Sequence, residues 1–359
     1  MTLTAIDAFA GSGGLTVGLK CGGFRVVAAI ELEPSALTTY RFNHPEVCCV
    51  KQDIATVSGS ELLKQLKMDR IDLLAGCPPC QGFTGLTAKY RGEDPRNGLV
   101  LEIARLAEEI RPRAIMMENV PGLMIKGKPY YQRLCKHLEA LGYLLTEGVL
   151  QVADFGVPQS RRRLVLLGGS GFSIPLPGKT HSRSGAMGLP PGAQSATPLA
   201  KCPDQSLCHR PRPGEESKDP TGMSSATCPR RTSKDYGLPG QARPGKISLK
   251  IFAQPATGGY RGFSNVYGRM EWDRPSPTIT GGCTTFSKGR FGHPEADRTI
   301  SVREAALLQT FPKDYRFETC YMDHACNMIG NALPCDFAEV ISRRCAVNLR
   351  LHPDPYAIM

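Results

Sequence analysis

The sequence predicts a doubly wound α/β domain with a mostly parallel sheet, followed by a smaller and irregular second domain. Three observations support this. Within the first 170 residues, short apolar runs with the length of buried strands alternate with amphipathic stretches of helical period. This βαβα order gives a parallel sheet. From about Gly178 the chain loses both periods, which predicts a separate and less regular domain.

The elements of the first domain follow in chain order. Predicted strands are 3–9, 25–30, 71–75, 114–117 and 164–167, with a further short strand that ends at Asp53. Predicted helices are 59–67, 99–110 and 130–141, and another helix begins at Leu15. Helical patterns return at 302–310 and 335–349, so we expect the C-terminus to pack on the first domain. The predicted domains are therefore 1–179, 180–296 and a returning segment 297–359.

Composition and charge restrict the class of protein. The chain has 359 residues, 41% of them hydrophobic, and contains no apolar stretch long enough for a membrane span. Its start lacks a secretory signal, so we expect a cytoplasmic protein whose 14 cysteines are mostly reduced. The net charge of +11 favours a polyanionic partner such as nucleic acid.

The middle segment, residues 192–254, follows neither hydrophobic period. Residues 201–250 contain only eleven hydrophobic residues, with seven prolines and ten lysines or arginines. Such a composition buries too little apolar surface to offset the entropy of ordering. We expect loops or disorder there, from either a natural low-complexity insertion or a reading-frame error in the gene.

A glycine-rich turn, Phe9-Ala-Gly11-Ser12-Gly13-Gly14, follows the first predicted strand. Its glycines let the backbone approach a ligand. Glu31 and Asp53 end the next two strands, where acidic side chains bind the ribose hydroxyls and the adenine amino group of an adenosine. The alternative is a tight turn with two solvated acids. No glycine or alanine stands three residues after Gly13, which disfavours NAD and favours S-adenosylmethionine.

Further reactive side chains follow the later strands. Cys77 and Cys80 flank two prolines after the fourth strand. They could form a redox pair or half of a zinc site, one of them could be a nucleophilic thiol, or both could be buried structural cysteines. Glu118 ends the next strand and is a candidate acid for a substrate. Arg161 and Arg163 precede the strand 164–167, so their alternate side chains can point the same way into a cleft.

In this order the motifs resemble those of the DNA cytosine-5 methyltransferases of the prokaryotic restriction-modification type. The resemblance covers most of residues 4–170 and again 266–340. The motifs that carry it are Phe9-Ala-Gly11-Ser-Gly13-Gly14, Pro78-Pro79-Cys80-Gln81, Glu118-Asn119-Val120, Gln159-x-Arg161-x-Arg163, Arg274-Pro-Ser-Pro-Thr278, the run from Arg298 to Pro312, and Gly330-Asn331-Ala332.

The resemblance implies a mechanism in which Cys80 is the nucleophile. Its thiolate adds to C6 of a cytosine flipped out of duplex DNA, and C5 then takes the methyl group of S-adenosylmethionine, leaving S-adenosylhomocysteine. Glu118 holds N3 and the exocyclic amine. Arg163 binds the O2 side of the base, and Arg161 supports the site.

The resemblance also implies the remaining contacts, with no metal. Cofactor contacts are expected from Phe9, Gly11, Ser12, Gly13, Gly14, Leu15, Glu31, Leu32, Asp53, Ile54, Pro79, Asn331 and Ala332. DNA contacts are expected from Gln81, Lys89, Arg91, Arg96, Arg274 and Thr278. The stretch 81–99 corresponds to the mobile catalytic loop of the family.

The resemblance also implies the partners of the protein, and two alternative functions stay open. We expect a monomer that acts on double-stranded DNA in the nucleoid, without a membrane, beside a cognate restriction endonuclease that acts separately. The resemblance implies that the target sequence is read by a variable domain, which corresponds here to residues 180–273 and contains the unpatterned segment. The alternatives are a transfer-RNA cytosine-5 methyltransferase, whose Cys-Phe-Thr tripeptide is absent here, and a catalytically impaired DNA-binding relative.

Overall fold

A computed structural model of the chain describes residues 2–79, 81–83, 94–182, 194–195 and 266–353. The chain forms two compact units. Unit 1 contains Met1–Gln151, Arg162–Gly178 and Cys335–Met359, and unit 2 contains Val152–Arg161 and Lys179–Pro334. The functional division at residues 179 and 296 stays a prediction. Apart from residues 194–195, the unpatterned segment 192–254 lies outside the described residues.

Unit 1 is built on one seven-stranded sheet. Its strands are β1 (Leu3–Ala8), β2 (Phe24–Ile30), β3 (Cys48–Val50), β4 (Leu73–Gly76), β5 (Ala114–Asn119), β6 (Tyr143–Gln151) and β7 (Arg162–Ser170). They lie in the order β3-β2-β1-β4-β5-β7-β6. The pairs among β1 to β5 are parallel, whereas β7 runs antiparallel to β5 and β6. The predicted mostly parallel, doubly wound sheet is confirmed.

Strand β6 was not predicted from the sequence. Only its first residue, Tyr143, is buried, and the other eight residues are half-buried or exposed. Because β6 pairs only with β7, it is an edge strand, and its side chains lack the continuous apolar character of the central strands. Hydrophobic patterning therefore gave no signal for this strand.

The helices of unit 1 are α1 (Gly14–Cys21), α2 (Pro34–Asn43), α3 (Gly59–Leu66), α4 (Glu102–Ile110), α5 (Lys128–Ala140) and α8 (Cys335–Leu351). Side-chain caps set two of their starts, since Glu33 accepts a hydrogen bond from the amide of Ser35 and Ser58 accepts one from the amide of Glu61. The first part of the predicted helix 99–110 belongs to a 3-10 helix, Pro95–Leu101.

One hydrophobic cluster joins the sheet to α3, α4 and α5. Alternate residues of the strands, among them Ile6, Leu74 and Ile115, lie in this cluster with Leu62 and Leu106 of the helices. The side chains between them point to the other face, because successive side chains of a strand alternate. Both faces of β1, β4 and β5 are buried, as a central parallel sheet requires.

Helices α1 and α8 pack directly against each other, which returns the C-terminal segment to unit 1. The contact is close at Gly18, where an added Cβ would lie 2.3 Å from the Cβ of Ala338. The hydroxyl of Ser342 donates to the carbonyl oxygen of Gly18 at 2.9 Å. Gly18 therefore allows a helix separation that any larger residue would prevent.

Unit 2 contains α6 (Val302–Leu308), α7 (Met322–Asn331), a 3-10 helix Val152–Phe155 and a short parallel pair, β8 (His181–Ser182) with β9 (Gln194–Ser195). Helix α6 begins with a capping box between Ser301 and Glu304. Helix α7 was not predicted. Among the helices of the described residues, none is both long and apolar enough to cross a membrane.

We predict that Gly18→Ala destabilises unit 1 by about 1–3 kcal/mol, because the new methyl group would press on the backbone of α8 at residues 338 and 339. Urea unfolding followed by circular dichroism measures the change. Gly98→Ala is the matched control, since a Cβ there meets no atom within 4 Å. Equal stability of the two variants would contradict the packing described here.

Candidate active site

The predicted site residues of unit 1 gather at one edge of its sheet. Ala8 pairs with both Ile30 and Gly76, so β1, β2 and β4 end at the same level. Because β7 is antiparallel to β5, its first residues lie beside the last residues of β5, where Asn119 pairs with Leu164. The carboxyl ends of five strands and the amino end of β7 therefore form one edge, the usual place for a site in such sheets.

The glycine-rich turn folds tightly between β1 and α1. Its residues Phe9, Gly11 and Gly13 have φ values of 66°, 55° and 98°, in the left-handed region that glycine adopts without strain. An added Cβ at Gly11 would meet no atom within 4 Å, so the backbone faces open space there. Ser12 and Leu15 are buried beneath the turn, and Gly14 begins α1. The turn thus presents bare backbone at the sheet edge.

Two carboxylates follow the neighbouring strands β2 and β3. Glu31 accepts hydrogen bonds from the amides of Gly11 and Glu33, both at 2.7 Å, so it is fixed against the glycine-rich turn. Asp53 accepts from the amide of Ala55 at 3.0 Å and begins a short 3-10 helix, Ile54–Thr56. Ile54 is buried, whereas the side chain of Leu32, next to Glu31, is 57% exposed.

Asp7 is a site residue that the sequence analysis did not single out. It is fully buried below the glycine-rich turn, and its Oδ2 accepts a hydrogen bond from the hydroxyl of Thr16 at 2.7 Å. Burial raises its pKa to about 7, the Thr16 hydrogen bond opposes this, and the nearby charge of Glu31 adds to it. Its Oδ1 has no hydrogen-bond partner among the described residues.

These features fit S-adenosylmethionine. A cationic group is the partner that an unsatisfied buried carboxyl oxygen, as on Asp7, favours. Glu31 and Asp53 supply acceptors at adjacent strand ends, and Leu32 offers an exposed apolar side chain for a flat ring. The signal for Asp7 in the sequence was its position two residues before the glycine-rich turn.

Cys77 lies at the end of β4, where its thiol donates a hydrogen bond to Glu118. Burial raises the pKa of this thiol well above its usual value, and the charges of Glu118 and Asp7 raise it further, against the opposing effect of Arg163. Cys77 therefore stays a neutral thiol at neutral pH and is unsuited to act as a nucleophile. Cys80 lies outside the described residues.

The ion pair of Glu118 and Arg163 forms the polar centre of this edge. The Nε of Arg163 lies 2.6 Å from Oε1 of Glu118, and 12% and 9% of the two side chains are exposed. Beside it, the amide of Asn119 donates to the carbonyl oxygen of Pro78 at 3.1 Å, which ties the segment before Pro79 and Cys80 to β5. Asn119 is a positioning residue missed in the sequence, although it stands inside the Glu118-Asn119-Val120 motif.

Arg161 belongs to unit 2, where it is buried. Its guanidinium donates to the carbonyl oxygens of Ile279, at 3.0 Å, and Gly330, at 3.2 Å. It therefore joins the segment after Thr278 to the end of α7, next to Asn331 and Ala332.

A second buried contact holds the same region of unit 2. The amides of Gln159 and Gln309 bond to each other at 2.8 Å, and Gln309 also donates to the carbonyl oxygens of Ile329 and Ala332. Asn331 is exposed at the end of α7, and Ala332 follows in extended conformation. The backbone at residues 330–332 is thus fixed by side chains of the motifs that begin at Gln159 and Arg298.

The predicted DNA contacts are spread over both units. Gln81 begins a 3-10 helix, Gln81–Phe83, and Lys89 and Arg91 lie outside the described residues. Arg96 forms an ion pair with Asp94 at 2.7 Å. In unit 2, exposed Arg274 lies 3.1 Å from Glu271, and Thr278 donates to the carbonyl oxygen of Ser160 at 2.8 Å.

The two described ends of the predicted catalytic loop meet at the sheet edge. An added Cβ at Gly82 would lie 1.9 Å from Oδ1 of Asn97. Phe83 is buried in the core cluster, and a Cβ at Gly122 would lie 2.1 Å from its carbonyl oxygen. Residues 84–93, outside the described part, therefore connect two neighbouring anchored points.

Comparison with known proteins identifies the family. The model of the C-5 cytosine-specific DNA methylases matches residues 3–346. The chain belongs to this family. Its members transfer a methyl group from S-adenosylmethionine, and the sheet described above is of that fold type.

Curated relatives are methylases of type II systems. The chain is 33% identical to the type II methylase M.HgiDII of Herpetosiphon aurantiacus, covering 96% of this chain and 95% of the relative. It is 31% identical to the type II methyltransferase M1.HphI of Haemophilus parahaemolyticus, covering 95% of this chain and 86% of the relative.

Solved structures share the fold. A putative DNA modification methyltransferase encoded within a prophage of E. coli has a TM-score of 0.71 at 23% identity, over 97% of this chain and 99% of that one. The Dnmt2 methyltransferase of S. pombe has a TM-score of 0.63 at 19% identity, over 98% and 99%. Together the family and the curated relatives support a DNA cytosine-5 methyltransferase and do not favour the transfer-RNA alternative.

We predict that Asp7 makes the folded state less stable as pH rises. Between pH 4 and 7 the folded protein holds a proton on Asp7 that the unfolded chain releases, because the folded pKa is about 7 and the ordinary value is 3.8. The free energy of unfolding should therefore fall across this window by up to about 4 kcal/mol more than in Asp7→Asn. Urea unfolding at a series of pH values measures it, and identical slopes for the two proteins would refute the assignment.

Proposed function

We propose that this chain methylates C5 of a flipped cytosine in double-stranded DNA through a covalent bond between Cys80 and C6. The observation that carries the proposal is the ion pair of Glu118 and Arg163, placed beside the segment that leads into Cys80. Methyl-transfer assays that compare duplex DNA with transfer RNA test it, and bisulfite sequencing of DNA from cells expressing the protein identifies the target sites.

S-adenosylmethionine supplies the methyl group in this chemistry. In unit 1, the backbone of Phe9 to Gly14, the carboxylates of Glu31 and Asp53 and the side chains of Leu15, Leu32, Ile54 and Pro79 would hold it. In unit 2, Asn331 and Ala332 stand at a backbone segment fixed by Gln309 and Arg161. Asp7, whose buried Oδ1 has no hydrogen-bond partner among the described residues, would lose its proton more readily beside the cofactor's cationic group.

C5 of cytosine is a weak nucleophile, and Cys80 makes it more reactive by adding to C6. Addition of its thiolate to C6 breaks the aromatic C5–C6 double bond and leaves an enamine-like ring whose electron density lies at C5. After C5 has been methylated, loss of the C5 proton and departure of the thiolate restore the aromatic ring. Cys77 takes no part in these steps because its thiol stays protonated beside Glu118.

Glu118 and Arg163 stabilise the base while it carries the bond to Cys80. Glu118 contacts N3 and the exocyclic amine and shares a proton there, which offsets the charge that the addition places on the ring. Arg163 contacts the O2 side of the base and holds Glu118 in position by their ion pair. The pair is nearly buried, so the charges act in a medium that screens them weakly.

The reaction requires a base outside the duplex, since stacking blocks both ring faces. Gln81, Lys89, Arg91 and Arg96 on the catalytic loop, and Arg274 and Thr278 in unit 2, are the proposed contacts that hold the DNA open. The chain works as a monomer in the bacterial cytoplasm, and a restriction endonuclease of the same specificity acts separately. These assignments extend the family relationship to the particular residues of this chain.

We predict that Cys80→Ser abolishes methylation and leaves cofactor affinity within a few fold, because the thiol acts on the base. Cys77→Ser should retain most activity. A duplex with 5-fluorocytosine at the target position traps the covalent adduct, since fluorine cannot leave C5 as a proton does. The adduct should form with Cys77→Ser and not with Cys80→Ser. Equal loss of activity in both variants would indicate a metal or disulfide pair and disprove the assignment.

We predict that Glu31→Ala and Asp53→Ala each weaken S-adenosylmethionine binding by about 10- to 150-fold, because each removes a charge-assisted hydrogen bond worth roughly 1.5–3 kcal/mol. Isothermal titration measures the affinity. Glu61→Ala, on the exposed surface of α3, is the control and should bind normally. Normal titrations in both site variants would show that the ribose and adenine contacts are misplaced.

A further inference from the structure

A short turn after β5 combines an exposed apolar side chain with two exposed cations. We call residues 125–128 the basic turn. Ile125 is 76% exposed, the largest value among the exposed large hydrophobic residues of the described chain. Lys126 and Lys128 are exposed on either side of the buried Gly127. The turn therefore places one apolar side chain on the surface next to two cations.

The basic turn is rigid and fixed to the base of the catalytic loop. The carbonyl oxygen of Gly122 accepts hydrogen bonds from the amides of Ile125, Lys126 and Gly127, at 3.1, 2.8 and 3.3 Å. An added Cβ at Gly127 would lie 2.6 Å from the ring of Phe83, where the described start of that loop ends. The exposed side chains therefore project from a backbone that is already ordered.

Charge around the basic turn has one sign over a long stretch of sequence. Between Glu118 and Glu139 the chain contains no aspartate or glutamate. Helix α5, which begins at Lys128, carries Arg133 and Lys136 on its exposed side. The turn and the exposed side of α5 thus carry several cations and no carboxylate of their own before Glu139, a charge that complements a polyanion.

The position of this surface relates it to the proposed reaction. β5 ends at Asn119, one residue after Glu118, and the basic turn follows six residues later. It therefore lies at the edge of the sheet where the base would be bound. Cations beside an apolar side chain can contact both the phosphates and the sugars of a nucleic acid backbone.

We propose that the basic turn binds the DNA backbone next to the flipped cytosine, with Lys126 and Lys128 on phosphates and Ile125 against a deoxyribose. The inference rests on the proposed function, since it assigns a further part of the DNA interface of the same site. The basic turn acts as a fixed support for the duplex. It positions the DNA and takes no part in the chemistry.

The experiment measures duplex DNA affinity by fluorescence anisotropy at a series of salt concentrations. Lys126→Gln combined with Lys128→Gln should lower the slope of log affinity against log salt by about 2, since each phosphate contact contributes about 0.9. Affinity near 0.1 M salt should fall by at least about tenfold. The matched control combines Lys64→Gln and Lys67→Gln at the end of α3, at the opposite edge of the sheet, with the same change in net charge.

Ile125→Ser separates the apolar contact from the charges. It should weaken binding by about three- to tenfold without changing the salt slope, because burial of apolar surface involves no counterion release. Its control is Leu144→Ser, which removes a 52% exposed leucine at the start of β6, level with the opposite end of β5. Cofactor titration and circular dichroism verify that all four variants are folded.

The outcomes separate this inference from the proposed function. Equal effects of the two lysine pairs, or an unchanged slope for Lys126→Gln with Lys128→Gln, would overturn the inference, because the surface would then act only through net charge or bind a different partner such as an acidic protein. Failure of the unaltered protein to methylate duplex DNA would overturn the proposed function instead. The anisotropy measurements do not depend on methylation, so each failure is recognised by itself.

Discussion

The ion pair between Arg163 and Glu118 depends on the direction of a single strand. Because β7 runs against β5, its first residues meet the last residues of β5, and Arg163 reaches Glu118. If β7 ran parallel to β5, Arg163 would begin at the other edge, a strand length of roughly 20 Å away for six residues. The proposed chemistry at the base therefore follows from one topological feature of the sheet.

Electrostatics divides this edge of the sheet into two halves. On one half, Glu118 has Arg163 as its partner, and the net effect on neighbouring Cys77 is still a raised pKa, so that thiol stays neutral. On the other half, no cation of the described chain pairs with buried Asp7, and its pKa is raised to about 7. In the first half, Arg163 already balances the charge of Glu118, which suits an uncharged base. In the second half, a proton or a cationic ligand would balance the charge of Asp7, and the proposed S-adenosylmethionine is such a ligand.

Much of this arrangement was predictable because buried parallel strands give continuous apolar runs and functional residues follow their ends. The direction of β7 was not predictable, since a hydrophobic pattern indicates that a strand exists but does not indicate which strand it pairs with or in which direction. The expectation that Arg161 and Arg163 point the same way assumed a strand through both, whereas β7 begins at Arg162, so the alternation does not extend to Arg161. Asp7 was missed because it lies inside the buried run of β1, which was interpreted only as a strand.

Close packing holds the two described ends of the proposed catalytic loop. Gly82 packs against Asn97 and Phe83 packs beneath Gly122, so both ends are fixed to the same region after β5. A loop costs less entropy to order when the fold already holds its two ends close together. The glycines at 82, 122 and 127 are required by this close packing, since each Cβ would clash with a residue of the anchor. Steric fit thus holds the two described ends of this segment next to each other at the edge of the sheet.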